Sequence, residues 1–261
     1  KEMIKEKILL KFGGSVITDK YSNVPSINNN NLKKIGKLIN SSESQVIIVH
    51  GAGSFGHPAA KKYKLSEGLI DGLQQDEGIE IARKKVRELN DIFCGILNDN
   101  GIKTETIIPS EKMFTNGSEE ITNFSKEEFD KILVKGKTPI TFGDVTNDVE
   151  QGINILSGDV LMKYLAKAFE PRLSLFIMDL PGVFDGDPND SNTSIIPLIN
   201  SEELGNFENI FVSKNTDVTG GIIGKIKRAI EISHFSETWI TDVDSLESCL
   251  KGNPKGTRVI F

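Results

Sequence analysis

The chain has 261 residues and a formal net charge of −6 at pH 7, with a pI near 5.3, which is enough length for one large core or two modest lobes. That acidic balance argues against nucleic acid or a membrane surface as the main partner, so lysines that handle an anion must act locally. Only Cys94 and Cys249 are present; far apart and outside any C-x-x-C, they fit a reducing cytoplasm, exclude a thiolate metal site and read as packing residues. The opening KEMIKEKILL has too short an apolar run for a signal peptide or a membrane span, so a soluble cytoplasmic protein is expected.

In chain order, Lys7 to Phe12 reads as a strand that runs into the glycine turn Gly13, Gly14 and Ser15. Asn28 to Ile39 places Leu32, Ile35, Leu38 and Ile39 at helical spacing behind capping asparagines. Val46 to Val49 is apolar without a helical period, as in a strand buried on both faces of a parallel sheet. It leads into His50-Gly51-Ala52-Gly53-Ser54-Phe55-Gly56-His57-Pro58. Glycines there let the backbone turn tightly and present N–H groups to an anion, ahead of a helix near Ser54 to Lys62. Lys61 to Asp71 reads as a polar, mobile loop.

Glu77 to Asn98 carries the longest amphipathic stripe, from Ile79 through Ala82, Val86, Leu89 and Phe93 to Ile96, with Gly101 beyond it. Thr104 to Ile108 reads as a strand, Glu111 to Thr122 as irregular or hairpin, and Ser125 with Glu128 as a capping box for a helix to about Val134. Thr138 to Phe142 is a strand ending at Gly143 and Asp144, and Val145 to Ile155 a hairpin. Ser157, Gly158 and Asp159 open a helix through about Phe169, and Leu173 to Met178 is a buried strand ending at Asp179. Pro181 to Asn192 is turn-rich, and a loop from Asn215 to Gly221 leads into an amphipathic helix carrying Lys225. Thr238 to Thr241, a helix near Ser245 to Leu250, and Arg258 to Phe261 finish the chain. This alternation predicts an α/β fold: an open, largely parallel sheet sandwiched by helices, with β-hairpin excursions.

Ligands of such sheets bind beyond the carboxyl ends of the strands. That edge gathers Lys11, both glycine turns, Gly143-Asp144 and Asp179. Lysines and turn amides suit polyphosphate, and buried carboxylates can hold lysines in place, so the equipment is that of phosphoryl transfer. Other chemistries fit worse. Gly51, Gly53 and Gly56 match the dinucleotide G-x-G-x-x-G, but the motif follows the second strand, no acidic residue ends a strand about 20 residues on, and His57 follows directly. Gly220 to Ile226 has the wrong spacing for a P-loop, and neither H-E-x-x-H nor G-x-S-x-G occurs.

Lys11-Phe12-Gly13-Gly14-Ser15, Gly51-Ala52-Gly53, Gly158-Asp159, Asp179, and Thr216-Asp217-Val218-Thr219-Gly220-Gly221 with Lys225 together resemble the amino acid kinase superfamily over nearly the whole chain. Within it, HGAGSFGH, Thr18-Asp19-Lys20, Phe142-Gly143-Asp144-Val145 and NTDVTGG are most similar to the isopentenyl phosphate kinases of the archaeal-type mevalonate route; fosfomycin kinases share the glycine turn followed by Phe-Gly-His. The chain departs where relatives commonly read Asp-Val-Asp-Gly, having Asp179-Leu180-Pro181-Gly182.

The resemblance implies one domain over 1–261, with an acceptor-binding lobe over about 1–170 and a nucleotide-binding lobe over about 171–261, a homodimer, and no metal site of its own. It implies ATP as phosphoryl donor, carrying Mg2+, and isopentenyl phosphate as acceptor. Lys11 and Lys225 would neutralise the ATP phosphates and the moving phosphoryl group, which Gly13, Gly14, Ser15, Gly53 and Gly221 would cradle. Lys20 matches a transition-state lysine, and Asp159 would orient the lysines. Ala52, Gly53, Gly158 and His57 would hold the acceptor phosphate, with Asp179 and Phe184 on the nucleotide side. A phosphate monoester with a second pKa of about 6 is already anionic and needs cations rather than a base. Its apolar tail would lie against Glu77 to Asn98. Two other readings remain, a kinase for another phosphate or phosphonate such as fosfomycin, and a non-catalytic nucleotide-binding protein. His50 reads as a structural histidine that props the turn.

Overall fold

Apolar runs become the strands of one sheet and amphipathic stretches the helices on its two faces. The computed structural model describes residues 5–19, 22, 24–213 and 219–261. In chain order the first half comprises β1 (Lys7–Phe12), α1 (Gly14–Ile17), α2 (Asn29–Asn40), β2 (Gln45–His50), α3 (Gly53–Lys62), α4 (Asp76–Asp99), β3 (Thr104–Thr106), α5 (Pro109–Lys112), β4 (Phe114–Thr115), α6 (Lys126–Val134) and β5 (Thr138–Phe142). Next come β6 (Asp144–Asp148), β7 (Gly152–Leu156), α7 (Gly158–Phe169), β8 (Leu173–Met178), β9 (Leu198–Asn200), α8 (Leu204–Ser213), α9 (Thr219–Ser233), β10 (Glu237–Asp242), α10 (Val243–Leu250) and β11 (Thr257–Ile260).

The main sheet has the order β3-β5-β2-β1-β8-β10-β11-β9, and β4-β6-β7 form a small second sheet. Every pairing in the main sheet is parallel except β10 with β11. Strands alternate their side chains between faces. In β1, Ile8, Leu10 and Phe12 enter a core with Leu32 and Ile35 of α2 and Phe93 of α4, whereas Leu9 joins Val160 and Leu165 of α7 and Ile226 of α9. Lys11 shares the parity of Leu9, so its side chain leaves the strand on the α7 and α9 side.

Several expected features take a different form. Ser125 is the N-cap of α6 but makes no side-chain cap bond; its hydroxyl donates to Glu127 instead (3.2 Å), so the capping box does not form. The segment expected as a mobile loop is fastened from within. Gln75, buried, donates to the carbonyls of Tyr63 and Gly68 and accepts from the N–H of Ile70, while Leu65 is fully buried in a 3₁₀ turn. The stretch read as irregular from Glu111 holds the end of α5 and the short strand β4, which pairs with β6. Strand β9 and helix α8 carry no period strong enough to have been foreseen.

Candidate active site

Two glycine turns, one after β1 and one after β2, lie backbone on backbone. A Cβ on Gly14 would collide with the Gly53 amide, and one on Gly51 would lie 2.7 Å from the Gly14 amide. Gly53 has φ +51°, the left-handed region that favours glycine. Because β1 and β2 are adjacent, with Phe12 in register with His50, both turns open at the same edge. Among the described residues, the N–H groups of Gly14, Ser15, Ala52, Gly53 and Gly158 meet no protein acceptor. Such convergent amides, two of them at the N-termini of α3 and α7, form a ready anion site.

Cationic charge is delivered beside them. Lys11 Nζ lies 3.2 Å from Asp159 Oδ1, and Lys225 Nζ lies 3.0 Å from Asp159 Oδ2. Lys225 also sits 5.2 Å from the centroid of the Phe176 ring, a cation–π contact. Gly158 makes the passage for Lys11, since a Cβ there would lie 3.0 Å from the Lys11 Cε. Burial opposes the charge on Asp159, but the two ammonium groups overcome it and hold the carboxyl well below the usual carboxylate range. Burial, then repulsion from Lys11, push Lys225 down to about 8 against the pull of Asp159. One carboxylate between two ammonium groups leaves the cluster with a surplus positive charge. Lys225 is thus largely buried and paired with Asp159 rather than solvated on the face of α9.

Of these groups Lys11 and Gly158 line a cavity of about 230 Å³, together with Gly14, Ala52 and His57 at its polar end, while Asp159 reaches it only through its contact with Lys11, and Lys225 only through Asp159. Its other end is walled by Ala60 of α3, Ala82 and Val86 of α4, Val145 of β6, and Ile155 and Leu156 of β7. Val145 and Ile155 are register partners in the hairpin. Arg83 ties α4 to that hairpin, donating through Nε to the Val145 carbonyl (2.8 Å) and through an Nη to Asn147 (3.2 Å). Asp144, also a wall residue, is buried and accepts from the N–H of Ser110 at the start of α5 (2.9 Å) and from that of Val145 (2.9 Å). Burial pushes its carboxyl up, and those N–H bonds with the Arg83 charge oppose the shift.

His57 is exposed at the cavity mouth. Partial desolvation and, secondarily, Lys11 lower its pKa, so the ring of the free protein is less basic than an ordinary histidine. His50 is fully buried, stacked on Phe142 at 5.2 Å and edge-on to Phe93. Burial takes its pKa down to about 4, so it is neutral near pH 7 with one N–H. Nδ1 faces the Gly51 carbonyl at 2.8 Å and Nε2 faces Asn90 Oδ1 at 3.1 Å. Both ring nitrogens thus face oxygens and the one N–H of the neutral ring serves one of them, while the Asn90 NH2 donates to Thr106 Oγ1 (2.8 Å). The ring props the turn, as expected.

The structure therefore brings Lys11, Gly14, Ala52, Gly53, His57, Gly158, Asp159 and Lys225 together. Gly13 joins through its N–H to the Ile177 carbonyl (3.0 Å), and Ser15 through α1. Asp179, half-buried Phe184 and exposed Gly221 do not line the cavity; Asp179 follows β8 on the same sheet edge, and Gly221 lies in the first turn of α9. Lys20, Thr216, Asp217 and Val218 lie outside the described residues. Pro181-Gly182 is packed against β11, where a Cβ on Gly182 would lie 2.8 Å from Thr257 Oγ1. Val145 is quoted above only within a motif, and Ile155 and Leu156 not as site residues; their signal is the apolar character of these positions inside an otherwise polar hairpin.

Strand-end amides and a lysine pair held by one carboxylate define an α/β protein that handles phosphate groups. The model of the Amino acid kinase family matches residues 6–241, and the chain belongs to that family, which makes it a phosphotransferase. It is 33% identical over 97% of its length to isopentenyl phosphate kinase of Methanothermobacter thermautotrophicus, covering 98% of that protein. With isopentenyl phosphate kinase of Methanocaldococcus jannaschii it is 32% identical, covering 84% of each chain. A crystal structure of isopentenyl phosphate kinase superposes with a TM-score of 0.84 at 27% identity, over 97% of this chain and 99% of the other.

Proposed function

We propose that this protein transfers the γ-phosphoryl group of ATP to isopentenyl phosphate, giving isopentenyl diphosphate and ADP. The observation that carries this reading is one cavity with two chemistries, an amide and lysine end for a phosphate and an apolar end of alanine, valine, leucine and isoleucine for a short hydrocarbon tail. The names of the relatives agree with it.

In this reading the acceptor phosphate rests on the N–H groups of Ala52, Gly53 and Gly158, with His57 donating a hydrogen bond from the mouth. Its dianion is the nucleophile, so no side chain needs to remove a proton. Lys11 and Lys225 neutralise the charge that spreads over the transferred group, and Asp159 keeps both ammonium groups aimed at it. Gly13, Gly14, Ser15 and Gly221 cradle the ATP phosphates, Asp179 and Phe184 flank the nucleotide, and Lys20 takes the role of the family's transition-state lysine. ATP enters with Mg2+ as its counterion, and among the described residues no cluster of three acidic, histidine or cysteine side chains could hold a metal ion. The acceptor elements then fall within about 1–170 and the nucleotide elements within about 171–261.

A homodimer is part of the same reading. So is a cytoplasmic setting, supported by two free cysteines; among the described residues no helix is long and apolar enough to cross a membrane. The test is ADP release with isopentenyl phosphate, fosfomycin and no acceptor, with the product identified by phosphorus NMR. Turnover on isopentenyl phosphate with a new diphosphate signal is expected. Turnover on fosfomycin alone, or tight ATP binding without ADP release on any acceptor, would overturn the reading.

A further inference from the structure

We propose that Thr18 is a positioning residue for phosphoryl transfer, its hydroxyl pinning the two glycine turns together and deciding which amides of the second turn face the acceptor. Thr18 ends α1 and is 1% exposed. Its Oγ1 donates to the Gly14 carbonyl at 2.7 Å and accepts from the Ser54 N–H at 3.2 Å. The same carbonyl also receives the Thr18 N–H at 2.9 Å. One buried hydroxyl therefore joins the turn after β1 to the first turn of α3, where Gly53 leaves no room for a Cβ beside that hydroxyl.

An accounting of the α3 N-terminus gives this contact its chemical weight. The first N–H groups of a helix have no partner within it. Here the Phe55 N–H goes to the Ala52 carbonyl at 3.1 Å, and the Ser54 N–H goes to Thr18. Ala52 and Gly53 are left to an anion. Without the hydroxyl, the Ser54 N–H becomes a third donor beside them, and an anion can settle one residue further along, away from Lys11. Thr18 thus acts by keeping one amide out of the site. Only the hydroxyl can accept from the Ser54 N–H, which is why it, and not merely a side chain of that size, is needed.

This inference rests on the kinase reading, and three substitutions separate it from a packing role. Thr18→Val keeps the shape and removes the hydroxyl; Thr18→Ser keeps the hydroxyl and removes the methyl; Thr18→Ala removes both. Each is measured for kcat, for KM of acceptor and of ATP, and for inhibition by inorganic phosphate competing with the acceptor. Misplacing a reacting group by about 1 Å costs up to about 100-fold in rate, so Thr18→Val and Thr18→Ala should lose about 10-fold to 100-fold in kcat. Their acceptor KM should stay level or fall, and phosphate should inhibit at least as well as before, because the extra donor still binds an anion, but out of line. Thr18→Ser should stay within about threefold of wild type by the same rule.

Should Thr18→Val fail to fold, the Ser and Ala pair isolates the hydroxyl alone. A kcat within twofold of wild type in Val or Ala, equal losses in Ser and Ala, or an acceptor KM that rises while phosphate inhibition disappears would each overturn the proposal. The series is run on whichever acceptor the wild-type protein turns over. No turnover of isopentenyl phosphate by wild type counts against the acceptor assignment, whereas a flat Thr18 series counts against this inference.

Discussion

At the charged end of the cavity nearly every working group follows a strand or opens a helix, whereas the apolar end is assembled from α3, α4 and a hairpin that Arg83 ties to α4 across 62 residues of sequence. The charged end has little freedom. A Cβ on Gly14 or Gly51 would come within 3 Å of the other turn's backbone, and one carboxylate holds two ammonium groups. The apolar end is a wall of side chains whose sizes can change without breaking a hydrogen bond. In the proposed reading, electrostatic preorganisation, the larger source of rate, belongs to the first region, and selectivity for the tail to the second.

The contrast is broken most severely by Lys11→Ala. Removing one charged donor from such a site costs about 10²-fold to 10³-fold in kcat, while a strand-end truncation next to Gly158 should leave the circular dichroism spectrum intact. A near-normal rate would remove the charged end from catalysis. Lys225→Ala should follow at about 2 to 4 kcal/mol of transition-state stabilisation.

Lys225 also predicts a pH profile. Its pKa is down to about 8 in the free protein, so the ammonium is present below that pH and lost as pH rises through it. Since kcat/KM reports the free enzyme, it should fall above about pH 8. Lys225→Arg stays charged throughout and should lose that alkaline limb. A limb unchanged in the Arg variant would assign it to another group.

His57 lies where the two regions meet. A charge-assisted hydrogen bond to a dianion is worth about 1.5 to 3 kcal/mol, so His57→Ala should lose that much with the phosphate acceptor. His57→Gln can still donate and should retain more, with the KM for ATP little changed in both. Because burial and Lys11 lower the pKa of the free ring, a bound dianion should raise it and draw in a proton. Calorimetry in buffers of different ionisation enthalpy reads that uptake directly. A collapse of ATP affinity with acceptor kinetics intact would move His57 to the nucleotide side.

The same division decides what the sequence made legible. Lys11, Gly13, Gly14 and Gly53 are adjacent to strong strand signals, so the rule that parallel sheets bind ligands at their carboxyl edge was enough to gather them, whereas Gly158 and Asp159 came into the site only through the family resemblance. The boundaries of β1, β5, β8 and α7 could be read in the same way, since apolar runs there meet glycine, aspartate or a capping serine. The pairing of Val145 with Ile155 depends on hairpin register, and the reach of Arg83 depends on how α4 crosses the small sheet. Neither is local. The capping box at Ser125 failed because its pattern says which bonds are available, and Glu127 competes for the hydroxyl.

The finest test works on the apolar wall alone. Burying a methylene is worth about 0.8 kcal/mol, so each tail carbon whose burial is lost or gained should shift acceptor KM by about 4-fold and leave the charged end untouched. Ala82→Leu or Val86→Phe fills the end of the cavity and should raise KM for isopentenyl phosphate. Val145→Ala or Ile155→Ala opens it and should admit longer prenyl phosphates, with kcat largely kept because Lys11, Asp159 and Lys225 do not move. These residues come from three elements, so a consistent trend across them argues for a shared wall rather than local damage. An acceptor profile that stays the same in all four variants would place the tail elsewhere and leave the phosphate end as the only part of the cavity the acceptor uses.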